Sequence, residues 1–247
     1  MFVVLEGIDG SGKGTQALFL HQRCLKEGIT SARFAYPQYG RTPFAEAITE
    51  YLNGAYGGLH EVHPKLASLL FAGDRFASRG QLLEACQSNS VVVCDRYVAS
   101  NLAHQAAKLP QEQRDAFIKW LTSIEYSCYG LPRADLTIYL DMPVKNARKL
   151  VLRKGARDQH NLFSDEEQGA YTALKADIHE QDGVYLAACR QVYEHLRDEQ
   201  IGGAWVSVDC LSDDDQLREP KDIAEDVFNL VSQRLPGEPR RQDRLSS

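Results

Sequence analysis

Six cysteines (Cys24, Cys86, Cys94, Cys128, Cys189 and Cys210) are spread over 247 residues without a single Cys-x-x-Cys pair. Neither a zinc site nor a disulfide framework is signalled, and reduced core thiols in an intracellular protein are expected. Positive charge is also in short supply: 28 Lys and Arg against 34 Asp and Glu leave a formal net charge of −6. A general nucleic-acid or membrane-surface binder needs the opposite field, so an anionic ligand must be met by a local cluster of Arg and Lys. No apolar run approaches the ~20 residues of a membrane-spanning helix. Met1 to Glu6 lacks a basic stretch and reads as a buried strand, not a secretory leader. A soluble, cytoplasmic protein is expected, with nuclear or organellar placement left open. There is neither an internal repeat nor a low-complexity block.

What remains is near the globular average: 43% hydrophobic and 25% charged residues, 18 Gly and 9 Pro, which excludes collagen, coiled coil and wholesale disorder. Short β-rich runs alternate with longer stretches of helical spacing, the signature of an α/β fold with a parallel sheet. Strands are expected at Phe2 to Glu6, Ser31 to Tyr36, Ser90 to Cys94, Leu136 to Leu140 and Trp205 to Val208, each nearly continuously apolar. A doubly wound five-stranded sheet flanked by helices is expected, in one domain over residues 1–235. Pro143 and Pro220 suit the first turns of helices, and Ser164-x-x-Glu167 reads as a capping box. A helix from Pro64 to about Ala85 is expected to turn Leu66, Leu69, Leu70, Phe76, Leu82 and Leu83 inward. The polar stretch from Arg153 to Ser164 suits a mobile loop, a short lid over about 153–166, and residues 236–247 read as a disordered tail.

Directly after the first strand stands Gly7-Ile8-Asp9-Gly10-Ser11-Gly12-Lys13-Gly14-Thr15, followed by helical spacing. This is G-x-x-x-x-G-K in the strand, loop, helix context of a P-loop. Backbone N–H groups at Gly7, Gly10, Ser11, Gly12, Lys13, Gly14 and Thr15 can converge on a phosphate, the helix N-terminus adds positive potential, and Lys13 can span two phosphate groups. The residue after the lysine is Gly14, so the first hydroxyl available to a magnesium ion is that of Thr15. The P-loop by itself specifies only a nucleoside triphosphate.

Asp95-Arg96 closes the third strand at the carboxyl end of the sheet, where open α/β folds bind ligands. Asp95 could hold magnesium through water. Arg96 could bridge charge on a transferring phosphoryl group or form a structural ion pair. Asp74-Arg75 repeats the dipeptide inside a helical pattern, and Arg41, Arg153 and Arg157 complete the local basic set.

The motifs in order resemble thymidylate kinases, of the nucleoside-monophosphate kinase group: Glu6 to Lys13, Tyr36-Pro37, Leu70-Phe71-x-x-Asp74-Arg75, Asp95-Arg96-Tyr97-x-x-Ser100-Asn101 and Gly130-Leu131-Pro132-x-x-Asp135. The resemblance runs from Phe2 to about Ser232 and implies transfer of the ATP γ-phosphoryl group to dTMP with Mg2+, in a homodimer. It implies that Asp9 lies near the sugar 3′-hydroxyl and the metal, that Phe71 stacks on thymine and that Arg75 bonds the base edge. Ser100 and Asn101 fall where the family reads the ring, and Arg96 resembles the arginine shared by donor and acceptor phosphates. Tyr36, Pro37, Arg41 and Gln105 complete the implied acceptor site. Tyr36 stands where the family usually has Phe, and His104 where many members have a tyrosine near the deoxyribose. His104 is either a sugar contact or a satisfied helix-face histidine. Some members carry a basic residue inside the P-loop; here Gly10 stands there, and Arg153 and Arg157 of the lid are the implied suppliers of charge.

Two other classes compete. A deoxynucleoside kinase or another nucleoside-monophosphate kinase would share these motifs. A GTP-binding switch would carry Asn-Lys-x-Asp, and no Asn in this chain precedes Lys.

Overall fold

Phe2–Glu6 is apolar up to its last residue and buried at every position, as a strand must be when helices cover both of its faces. This strand, β1, lies at the middle of a five-stranded, wholly parallel sheet of order β2-β3-β1-β4-β5, where β2 is Ser31–Ala35, β3 Val91–Asp95, β4 Ala134–Asp141 and β5 Gly203–Asp209. The computed structural model describes residues 1–58, 61–157 and 183–235, and of residues 152–157 the backbone alone.

All five expected strands are present, with ends shifted by up to two residues. Continuous burial holds along β1 and most of β3 and β4. The edge strand β2 is half-buried throughout and β5 is buried only at Trp205 and Val208, since each has a neighbour on one side only. The helices are α1 (Lys13–Lys26), α2 (Pro43–Leu52), α3 (Pro64–Ala77), α4 (Arg79–Ser88), α5 (Val98–Ala106), α6 (Gln111–Thr122), α7 (Val144–Arg157), α8 (Gly183–Asp198) and α9 (Pro220–Ser232), with a π-helical segment at Ser123–Cys128. Helix α5 packs on α8 and α3, and α1 on α9. None of the described helices is long and apolar enough to cross a membrane.

Two expectations need correction. The long helix from Pro64 is two helices, because the Ser78 hydroxyl bonds the carbonyls of Asp74 and Arg75 (3.2 Å each) and the Tyr36 hydroxyl (2.9 Å), ending α3 there. Leu82 is buried, whereas Leu66 and Phe76 stand 64% and 49% exposed on α3. Residues 153–157, expected in a loop, belong to α7, which continues to Arg157. Pro220 opens α9 as expected, while Pro143 immediately precedes α7, its carbonyl accepting from the amides of Asn146 and Ala147. The rest of the expected lid, the Ser164 capping box and the 236–247 tail lie outside the described residues.

Candidate active site

The loop between β1 and α1 turns through left-handed backbone at Gly10 (φ +86°) and Gly12 (φ +90°), a conformation glycine adopts without strain. Gly12 precedes α1 with no side-chain cap, so the first-turn amides of α1 face an open concavity suited to a phosphate. Lys13 reaches back into that concavity, its Nζ donating to the carbonyls of Gly7 and Ile8, both at 2.8 Å. Burial, then the charge of Arg96, lowers its ammonium to about 8. A Cβ at Gly10 would stand 2.3 Å from the Ala147 carbonyl oxygen, so α7 occupies the space in which a side chain would lie.

Arg96 follows β3 with φ +63°, a conformation that costs a residue with a Cβ about 1–3 kcal/mol. Its amide donates to the Leu5 carbonyl (3.1 Å), and its guanidinium forms an ion pair with Asp9. Burial alone would raise the Asp9 carboxyl; Arg96 foremost outweighs it, and the group titrates well below the usual carboxylate range. The ion-pair reading of Arg96 is therefore correct as geometry, but the partner belongs to the P-loop. Asp95 lies against Gly14, and Thr15 is exposed on the first turn of α1.

On the other side of Arg96, α3 places Ser68, Phe71 and Arg75 on one face by helical spacing. Phe71 meets Tyr51 edge-on, with centroids 6.2 Å apart. Arg75 is buried and paired bidentately with the wholly buried Glu125 of the π-helical segment, one contact being 2.9 Å. Burial opposes the guanidinium charge and Glu125 outweighs it, so Arg75 is held charged. Asn101 of α5 donates to the same carboxylate (2.8 Å) and to the Ser68 carbonyl (3.0 Å). Arg75 and Asn101 are thus brought together by Glu125, which no spacing in the sequence marks, and Phe71 shares the α3 face of Arg75.

Asp74 is structural: it accepts from the Gln38 amide (2.8 Å) and the Thr42 hydroxyl (2.5 Å), tying the loop of Tyr36, Pro37 and the exposed Arg41 to α3. Ser100 is turned beneath the site, its hydroxyl donating to Glu6 (2.6 Å). Gln105 is buried in α5. His104 bonds through Nδ1 to the hydroxyl of Tyr185 on α8 (3.1 Å), and that hydroxyl in turn donates to the His104 carbonyl (2.9 Å). Burial holds the imidazole neutral, down to about 3. Helix α8 is a wall of the site that the sequence does not foretell; no local pattern relates Tyr185 to His104. The side chains of Arg153 and Arg157 lie outside the described residues.

Comparison with known proteins bears on this arrangement as a whole. The thymidylate kinase family model matches residues 5–197. The chain belongs to the thymidylate kinase family. It is 30% identical over 208 residues to the thymidylate kinase of Mycobacterium tuberculosis, covering 84% of this chain and 91% of the other. It is 37% identical over 157 residues to a probable thymidylate kinase of Pyrococcus abyssi, covering 62% and 71%. A solved structure, thymidylate kinase from Candida albicans, shares the fold with a TM-score of 0.65 at 20% identity, covering 94% of this chain and 91% of that one. As a thymidylate kinase family member the chain is a nucleoside-monophosphate kinase, a transferase that uses a nucleotide phosphoryl donor.

Removing one partner of a buried ion pair strands the other, at a cost of about 3–5 kcal/mol. Glu125→Leu is expected to lose that much stability by urea unfolding, and Arg75→Met added to it to restore most of the loss. A single-variant loss under about 1 kcal/mol would show that the pair is not holding the cleft. His104 titrates at an ordinary 6.5 when unfolded and about 3 when folded, so its contribution is complete above pH 6.5 and is lost as pH falls toward 3. The stability difference between wild type and His104→Asn should accordingly shrink on acidification, by up to about 1.4 kcal/mol per pH unit. A difference constant from pH 7 to 4.5 would contradict the buried neutral imidazole.

Proposed function

We propose that this chain transfers the γ-phosphoryl group of ATP to dTMP, giving dTDP and ADP, with Mg2+ as the required cation. The observation that carries the reading is the seven-residue run from Asp95 to Asn101: it presents a carboxylate to the P-loop helix, a guanidinium to Asp9, and an amide to the Phe71 and Arg75 cleft. One rigid junction therefore faces a phosphate cradle on one side and an aromatic, hydrogen-bonding pocket on the other.

Phosphoryl transfer has a loose transition state, so the protein contributes alignment and positive charge more than covalent chemistry. In this reading the α1 amides and Lys13 bind the donor phosphates and Arg96 bridges donor and acceptor. Phe71 stacks on the base, while Arg75 and Asn101 bond its edge. Asp9 orients Arg96 and faces the sugar, with Tyr36, Pro37, Arg41, Ser100, His104 and Gln105 shaping the acceptor side. Asp95, whose buried Oδ1 accepts no hydrogen bond, and the Thr15 hydroxyl are oxygen donors of the kind a hard cation takes. Bound there, Mg2+ would neutralise phosphate charge.

Arg153 and Arg157 extend α7, the helix that lies against Gly10, and we assign them to a lid that supplies charge over the donor and excludes water. The protein is read as one kinase domain over residues 1–235, cytoplasmic, with small-molecule partners and no nucleic acid, in keeping with its charge of −6. Leu66 and Phe76, exposed on α3, support a homodimer.

A panel of dTMP, dUMP, dGMP, UMP and thymidine with ATP and Mg2+, followed by ADP release, tests the substrate. Strong turnover is expected with dTMP, falling about a thousandfold or more in a folded Arg96→Ala protein. Turnover with thymidine alone would make the chain a nucleoside kinase. In the same assay Arg153→Ala with Arg157→Ala should lower kcat by about a hundredfold or more, as loss of transition-state charge does; unchanged turnover would remove these arginines from the mechanism.

A further inference from the structure

Helix α7 is basic along its length: Val144–Arg157 carries Lys145, Arg148, Lys149, Arg153, Lys154 and Arg157 and no Asp or Glu, in a chain whose formal net charge is −6. The start of the helix is the part that no role assigned so far explains. Lys145, Arg148 and Lys149 are exposed, and among the described residues none of them pairs with a carboxylate, whereas Arg23, Arg190 and Arg218 each do. Helix stability does not call for them. Lys145 stands in the first turn, where the helix dipole disfavours a cation, and that turn holds no acid to offset it. Lys145 is also three and four residues from Arg148 and Lys149, the spacings at which like charges on a helix surface repel. Three unpaired charges that work against their own helix point to a role outside the fold.

Their neighbour is the P-loop. A Cβ at Gly10 would stand 2.3 Å from the Ala147 carbonyl oxygen and 2.9 Å from Val151 Cγ2, so the first two turns of α7 lie directly on the loop, and the three cations flank that contact. We propose that the exposed start of α7 is a capture surface for the polyphosphate of the donor nucleotide: Lys145, Arg148 and Lys149 draw the anion toward the P-loop and raise the rate at which it arrives, without holding it once bound. An acidic protein repels a nucleotide at long range, and a patch of unpaired cations reverses the field over the approach. At 0.1 M salt such a field reaches about 10 Å, far enough for exposed side chains beside the cradle to act, and steering of this kind raises association rates by about tenfold to a thousandfold. The division of labour along the helix follows, with the far end assigned above to transfer and the start to capture. The proposal rests on reading the P-loop as the donor-nucleotide site.

The test is stopped-flow binding of ADP carrying a fluorescent N-methylanthraniloyl group, over a salt series, to wild type and two variants. Lys145→Gln with Arg148→Gln and Lys149→Gln removes the patch. Lys26→Gln with Lys119→Gln and Lys221→Gln, at exposed positions of α1, α6 and α9, removes the same net charge elsewhere. At low salt the patch variant should associate about tenfold or more slowly than wild type and with a shallower salt dependence, its dissociation rate changing by less than about twofold. The control variant should follow wild type, and all three should converge near 1 M salt, where screening cuts the range to about 3 Å. With its like charges relieved, the patch variant should also melt no lower than wild type. An association rate equal to wild type, or lowered equally in both variants, would overturn the proposal, the latter by showing that net charge alone acts. So would a change confined to dissociation, which would make these residues ligands of the bound nucleotide, or a drop in melting temperature, which would make them serve the fold. Failure of wild type to bind the probe at any salt would overturn the donor-site reading and the proposal with it. Binding at rates indifferent to the patch would overturn the proposal alone.

Discussion

The carboxylate of Glu6, wholly buried at the end of β1, caps a helix to which it is not adjacent in the chain. It accepts from the amides of Tyr97 (2.8 Å) and Ser100 (3.1 Å) and from the hydroxyls of Ser100 (2.6 Å) and Tyr193 (3.1 Å). Helix α5 has no side-chain cap of its own, so the negative charge its N-terminus favours comes from the neighbouring strand. Burial outweighs these donors and leaves the Glu6 pKa raised, while their convergence satisfies the oxygens of a carboxyl with no access to water. The consequence is positional. Fixing the first turn of α5 to β1 sets where Arg96 meets Asp9, where Asn101 meets Glu125, and where His104 meets Tyr185.

Close approach of backbones is the second constraint, and two glycines in the P-loop mark it. At Gly10 the contact is with the carbonyl of Ala147, so α7 lies directly on the loop and no side chain, basic or otherwise, can occupy that position without moving the helix. At Gly14 the neighbour is a carboxylate, not a backbone carbonyl. The first glycine sets the distance of an element, the second lies against the end of a side chain.

The sequence discloses what depends on local order. Val91 to Val93 and Leu136 to Leu140 read as strands because burial on both faces leaves no room for alternation. The P-loop is legible because glycine is needed where the backbone turns left-handed. The features it hides depend on contacts across the chain. Glu125 sits among polar residues in Ser123–Cys128, and only the rule that a buried arginine requires a carboxylate could prompt a search for it. Tyr185 and Tyr193 reach α5 from about ninety residues away, and an apolar helix face announces burial without naming its partner. The break at Ser78 is hidden for the same reason: the hydroxyl that ends α3 is held by Tyr36 from another element. Leu66 and Phe76 keep the helical period and still face outward, since periodicity fixes a face and not what covers it.

The two arginines at the centre of the site differ in what they can do. Arg75 is matched by Glu125 deep in the protein, so its pair is neutral as a unit and acts by the direction of its remaining N–H groups. In the proposed reaction that suits an uncharged base, whose edge offers lone pairs and no charge. Arg96 is matched by Asp9, but its side chain is 23% exposed and lies at the open end of the sheet. In the proposed reaction a phosphate arriving there meets a guanidinium already partly desolvated and aligned, and has only to share it with Asp9. The energetic cost of presenting that cation, the strained backbone at Arg96 included, falls on the folded protein before any substrate binds, and the Asp9 pair offsets part of it. In the proposed reaction charge selects the phosphate and geometry selects the base, with the first turn of α5 holding Arg96 and Asn101 in fixed relation.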